Sequence, residues 1–295
     1  MSKGIGNVEY VRQGSEVAVQ GVPNWAYLYT ASTTKSAKHN IGDRVVTPDG
    51  RVFRYALAGG TIETEFGVCA PDASITNAVA PAQVAPTSPV ITGLTLSSGQ
   101  VGDYCVTITV ASTDGILGTG AIAADEMRGG YIVINNGTNE HPQFRGILGN
   151  DAVAAGGGSM NVYLDGAIGT IRISSTSYTG VVVGTTHIEA YYSPFANAKG
   201  MNAVNSAYVT CIGAAASRAT VGQYFWVQTW GPTWLTSNGT TGEAANGRDL
   251  YINTDGSLRG QSSTTYAGYQ RVGFGLDKSA SGTSNGPNCY LQLLS

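Results

Sequence analysis

In Tyr104-Cys-Val-Thr-Ile-Thr-Val110 the even positions carry large apolar side chains and the odd ones small or polar groups. A side-chain repeat of two is the geometry of a strand with one buried and one wet face. This repeat constrains the chain more than any other feature. Related runs are Val52–Tyr55, Tyr131–Ile134, Asn161–Leu164, Ile171–Ile173, Val181–Val183 and Tyr224–Thr229. Turn formers punctuate them: Pro48-Asp49-Gly50, Asn136-Gly137, Asp165-Gly166, Asn238-Gly239 and Asp255-Gly256. Helical periodicity is thin. Residues 24–41 lack Gly and Pro but are weakened by Thr30, Ser32, Thr33, Thr34 and Ser36, while residues 120–128 have room for two turns before Gly129-Gly130. The spacing predicts an all-β fold, with a sandwich or barrel-like β body, in place of alternating βαβ units.

Glycine supports that reading: 41 of 295 residues is about twice the usual ~7%, and glycine's freedom suits tight turns. Charged residues make up only 12%, about half the usual ~25%. Such a chain is either disordered or covered by neighbours, and 42% hydrophobic residues with 16 Tyr argue against disorder. A surface shared with other subunits is the expectation that remains. A net charge of −3 with no run of four basic residues leaves no field for a phosphate backbone, so nucleic acid is not an expected partner. The first 25 residues lack the apolar run of a signal peptide, and no 18-residue apolar stretch occurs. Synthesis in the cytoplasm, with no membrane partner, is expected.

Residues 70–90 hold Pro71, Pro81, Pro86 and Pro89 and a single charge, which favours an extended linker. It divides residues 1–69, expected as an extended N-terminal arm or small β section, from a β-rich body over 91–295. About seventy residues rich in polar turns make a marginal core of their own.

The patterns that could carry chemistry fail on context. Gly118-Thr-Gly-Ala-Ile-Ala123 has the dinucleotide-binding spacing, but Gly129-Gly130 leaves no helix of useful length. A turn followed by a short connecting helix is expected there. Gly282-Thr-Ser284-Asn-Gly286 has the nucleophile-elbow spacing, yet no apolar strand feeds it and Pro287 follows it. His39, His141 and His187 all precede it, so the hydrolase order of Ser, acid, His is impossible. Those histidines form no metal-binding spacing. Asp249-Leu-Tyr-Ile-Asn253-Thr-Asp255-Gly256 misses the calcium-loop register, because Tyr251 falls at the first ligand position. Cys69, Cys105, Cys211 and Cys289 are widely spaced among apolar neighbours and read as small buried hydrophobes. No catalytic residue, cofactor or metal is assigned, and the chain is not expected to be an enzyme.

Three of the four tryptophans, Trp226, Trp230 and Trp234, lie in Gly222-Gln-Tyr-Phe-Trp-Val-Gln-Thr-Trp-Gly-Pro-Thr-Trp234. Gly231-Pro232 argues against a helix, and a strand running into a turn is expected. The indoles are core and interface packing, or candidate contacts for a partner subunit or for the apolar face of a sugar.

Gly42–Gly60 (GDRVVTPDGRVFRYALAGG), Glu126–Asn135 (EMRGGYIVIN) and Tyr224–Pro232 (YFWVQTWGP) together resemble virion structural proteins of tailed bacteriophages. Among these the chain most resembles head decoration, or cement, proteins. The resemblance implies a β-rich, non-enzymatic subunit, a homotrimer, bound through the major capsid protein to the outside of a shell. It carries over no catalytic, cofactor or metal residue. The alternative is a host-recognition module on a tail or fibre, with the Trp226–Trp234 cluster binding glycan. A third reading, a glycan hydrolase, needs paired carboxylates in a groove, and the 19 acidic residues single out no pair.

Overall fold

The structure, a computed structural model, describes residues 9–13, 16–20, 25–70, 90–116, 118–135, 142–172, 178–179, 187–201, 210–238, 248–260, 269–277 and 288–294. In chain order the first elements are strands β1 (Glu9–Gln13) and β2 (Glu16–Gln20), helix α1 (Trp25–Leu28), and strands β3 (Arg44–Val46), β4 (Val52–Leu57) and β5 (Gly67–Cys69). Then follow β6 (Val90–Ser98), β7 (Cys105–Val110), β8 (Tyr131–Asn135), β9 (Gln143–Asn150), β10 (Gly158–Leu164), β11 (Ile171–Arg172), β12 (Tyr178–Thr179) and β13 (His187–Tyr191). The last are β14 (Lys199–Gly200), β15 (Cys211–Ala215), β16 (Tyr224–Trp234), β17 (Asp249–Ile252), β18 (Leu258–Gly260), β19 (Arg271–Gly275) and β20 (Asn288–Gln292). The protein is all-β, with barrel-like curvature, as the alternation predicts. No helix among the described residues is long and apolar enough to cross a membrane.

Two compact units form: residues 1–71 together with 194–295, and residues 72–193. The second is a closed antiparallel barrel in the order β10-β7-β6-β13-β8-β9. Two strands serve both of its curved sheets. β6 gives Val90–Thr95 to β13 and Leu96–Ser98 to β7, and β9 gives Gln143–Gly146 to β8 and Ile147–Asn150 to β10. Gly146 sits where β9 changes partners, and a Cβ there would lie 2.6 Å from the Asp165 carboxylate. Val106, Ile108, Val110, Ile132, Ile134, Ile147, Met160, Val162, Leu164 and Ile188 are buried, so side chains fill the barrel as in other small barrels.

The Gly118–Ala123 run is a turn, as expected, but no helix follows it. Asp125 takes a positive φ of 59°, which a short polar residue tolerates as a single position and a helix does not. Buried Asn150 then fixes the loop: its Oδ1 accepts from the Met127 N–H at 2.9 Å, and its Nδ2 donates to Ala123 O at 2.9 Å. These bonds satisfy backbone groups that a helix would otherwise have paired.

In the first unit, the main sheet runs β14-β5-β15-β16-β20-β19-β17-β18, with β4 also paired to β16 and β3 to β4. The Pro48-Asp49-Gly50 and Asp255-Gly256 turns join hairpins β3–β4 and β17–β18 as their chemistry predicts. The division into arm, linker and body is corrected here. Residues 1–69 supply β3, β4 and β5 to the sheet of residues 199–292, and residues 91–295 are not one body, since β6 to β10 and β13 close into a barrel of their own. The physical reason is that unpaired strand edges are costly to leave exposed, and β4 pairs along β16. Most of the proposed linker, residues 71–89, lies outside the described residues, as do Val181–Val183.

Deleting residues 1–69 strips β4 from one side of β16. The truncated chain is expected to lose the cooperative melting of the larger sheet in calorimetry. A thermal transition identical to that of the full chain would contradict this pairing.

Candidate functional site

Trp226 lies opposite Tyr55 of β4 and is 1% exposed. His39 meets its ring edge-on at 5.0 Å, Tyr55 lies at 5.0 Å and Tyr27 at 5.9 Å. Tyr55 stacks on Tyr224 at 5.7 Å and accepts a hydrogen bond at its hydroxyl from the Ser36 N–H, 3.0 Å away. Leu28, Val45 and Phe53 complete this cluster. Segment 25–41, weak as a helix and helical only over Trp25–Leu28, is thus fixed by aromatic packing. Edge-on and offset rings add to the burial of their area.

A spacing of four along a regular strand would put Trp226, Trp230 and Trp234 on one face. The chain departs from that spacing because the register slips between Gln228 and Trp230, where Gln228 opposes Phe53 and Trp230 opposes Val52. Phe53 and Val52 are consecutive and point to opposite faces, so the slip carries Trp230 away from the face of Trp226. Thr229, the extra residue, accepts from the Leu293 N–H at 3.2 Å and donates its hydroxyl to Leu294 O. Trp230 meets Tyr290 edge-on at 5.9 Å, and Tyr290 stacks on Phe274 at 5.2 Å. Trp230 and Trp234 are half-buried.

The strand also continues through Gly231-Pro232 to Trp234, where a turn is expected from sequence. Buried Gln228 makes this possible: its Nε2 donates to Trp230 O at 3.2 Å and to Pro232 O at 2.8 Å. The amide replaces a neighbouring strand on the side where Pro232 has no N–H to offer.

Of the three tryptophans, Trp226 cannot touch a glycan or a partner, because it is core. Solvent-facing aromatics lie instead on the segment packed against its cluster, at Trp25, Tyr27 and Tyr29, with Trp25 39% and Tyr29 45% exposed. Sequence reasoning passed over them; the signal that finds them is three large aromatics within five residues, Trp25–Tyr29. The Arg51 guanidinium lies over the Trp25 ring, 4.8 Å from its centroid, a cation–π geometry.

The other candidates resolve structurally. Cys69, Cys211 and Cys289 are buried free thiols, and burial pushes the Cys211 and Cys289 thiols up to about 12, which keeps them protonated and unreactive. Cys105 is half-buried on the barrel. Asp249 pairs with Arg271 at 2.9 Å, and Asp255 accepts from the Ser257 N–H at 2.9 Å, so the calcium-like run is a hairpin. No group of three or more metal-type side chains is assembled among the described residues. His141 and Gly282–Gly286 lie outside them, and of His187 only the backbone, in β13, is described. No family model, no curated protein and no solved structure matches this chain.

Burial, and then the Lys38 charge, lowers the His39 pKa from 6.5 to about 4. The unfolded chain therefore takes up a proton near 6.5 while the folded chain resists it until about 4. The contribution of His39 to stability is whole above the higher value and shrinks as pH falls toward the lower one. His39→Phe is expected to reduce the loss of melting temperature between pH 7.5 and 4.5, values chosen at about one unit above and half a unit above the two limits. An equal loss in both proteins would refute the assignment. Trp226→Ala is expected to cost about 3–5 kcal/mol, as for other buried large-to-small changes, measured by denaturant titration. A cost under about 1 kcal/mol, typical of surface positions, would show that the indole is not core.

Proposed function

We propose that the chain is a non-enzymatic virion structural protein that decorates and stabilises a phage capsid by binding the major capsid protein shell. The observation that carries this reading is the outer surface of the barrel. Phe144, 62% exposed, stands on β9 with Leu148, and Tyr131 and Tyr163 stand outward on the flanking strands β8 and β10. The pairing sets Phe144 beside Val133, Tyr131 across from Gly146 and Tyr163 across from Gly149. Large apolar groups outside a barrel whose inside is already filled are not needed to complete its core. Clusters of this kind mark protein contacts, and aromatics carry a large share of interface energy.

The rest of the chain supports the same reading. With 12% charged residues, few side chains oppose desolvation when subunits meet. The subunit is proposed to act as a homotrimer on the virion surface, after synthesis in the host cytoplasm, without cofactor, nucleic acid or membrane.

Phe144→Asp places a charge on the proposed contact and leaves the barrel core untouched. It is expected to keep the wild-type melting temperature and to lose binding to capsid shells that lack the protein, read by co-sedimentation. Subunit mass by light scattering accompanies the assay. A wild-type chain that stays monomeric and ignores such shells would remove this function.

A further inference from the structure

We propose that Trp25, Tyr29, Asp49 and Arg51 form a binding platform for a neutral saccharide. The site is independent of the assembly reading, and none of its aromatic rings comes from Trp226, Trp230 or Trp234.

Trp25 and Tyr29 stand one helical turn apart, held by the Tyr29 N–H donating to Trp25 O at 3.1 Å. Their rings are near parallel, 26° between planes and 6.3 Å between centroids, and both are among the exposed aromatics. Arg51 and Phe53 hold them in place. Arg51 Nη1 donates to the Tyr29 hydroxyl at 2.8 Å, and the guanidinium also lies 5.7 Å from the buried Phe53 ring. Tyr29 meets Phe53 edge-on at 6.4 Å.

Arg51 is itself fixed. Its Nε donates to Asp49 Oδ2 at 2.9 Å, and Asp49 also accepts from the Thr47 hydroxyl. Gly231 of β16 completes the seat: at φ 93°, a Cβ there would lie 2.8 Å from Arg51 Cγ. The glycine that interrupts the tryptophan-rich segment thus makes room for the arginine stem. Only its absent side chain allows that approach.

The chemistry of the ligand follows from these groups. Two exposed, near-parallel rings match the apolar C–H face of a pyranose, since an aromatic plane is apolar with a polar rim. A pyranose also needs hydrogen-bond partners at its edge. The Asp49 carboxylate, 49% exposed in its side chain, offers acceptors there, and the Tyr29 hydroxyl oxygen and Arg51 lie beside it. Charge decides between classes of sugar. Arg51 and Asp49 cancel at 2.9 Å, so the platform offers no net field to an acidic saccharide. A preorganised site of this kind loses little entropy on binding.

The experiment titrates the full chain with cello-, malto- and chito-oligosaccharides and with polygalacturonate, read by tryptophan fluorescence and calorimetry. At least one neutral oligosaccharide is expected to bind. Trp25→Ala is expected to weaken it by about tenfold or more, and Trp25→Phe, which keeps a smaller ring, by less. Trp230→Ala is expected to leave binding unchanged. Asp49→Asn is a second variant, in a hairpin turn, and is expected to weaken binding severalfold without depending on how Trp25→Ala folds. Absence of binding by every neutral probe overturns the proposal, as does binding that survives both Trp25→Ala and Asp49→Asn. Preference for polygalacturonate overturns the neutral assignment. Phe144→Asp is run in parallel: sugar binding retained while shell binding is lost separates this site from the assembly surface.

Discussion

Strand β16 pairs with β4 along Tyr224–Trp230, with β15 at Val227 and Gln228, and with β20 along Trp230–Trp234. An antiparallel strand flanked on both sides satisfies its own backbone and fixes the register of its neighbours. Here those neighbours come from both ends of the chain, so the hydrogen bonds of one eleven-residue strand tie residues 52–57 to residues 288–292. The barrel of residues 72–193 is inserted between the parts that β16 unites. Such pairing is non-local, and its loop-closure cost makes folding slower than in a chain of local hairpins.

The bulge at Thr229 gives β16 two different environments. Before it, Trp226 is sealed among His39, Tyr55 and Phe53; after it, Trp230 turns to Tyr290 and Phe274 on the other face. The slip leaves backbone acceptors that need partners: the Gln228 amide donates to Trp230 O and Pro232 O, and the Leu293 N–H donates to Thr229 O, while the Thr229 hydroxyl donates to Leu294 O. A buried polar side chain here does what a further strand would do, at the cost of requiring a complete set of hydrogen bonds.

Two surfaces are left with large aromatic or aliphatic groups in water, and they differ in kind. The barrel face around Phe144 and Leu148 is apolar, which suits a protein contact. The Trp25–Tyr29 platform has a carboxylate and a guanidinium locked against its rings, which suits a ligand with both an apolar face and hydroxyls. Low charge overall makes both surfaces stand out, because few ionised side chains are available to cover them.

The class of fold was legible in the sequence because a side-chain repeat of two survives in single strands: Cys105–Val110 and Asn161–Leu164 alternate whatever they pair with. The hairpin turns at Asp49-Gly50 and Asp255-Gly256 were legible for the same reason, since their backbone demands are local. Pairing across the chain was not. Residues 1–69 look like an arm until β4 meets β16, and nothing local in Val52–Leu57 names that partner. How the three tryptophans divide between core and surface was hidden for a related cause. A count of four along a strand predicts one face for Trp226, Trp230 and Trp234, and only the register slip, fixed by β4 on one side and β20 on the other, separates them. Trp25 gains its meaning only where Arg51, on the β3–β4 hairpin, lies over its ring. Local alternation and turn chemistry belong to the sequence by itself; which edges pair, where a strand slips and which tryptophan faces water are decided by tertiary contacts between residues far apart in the chain.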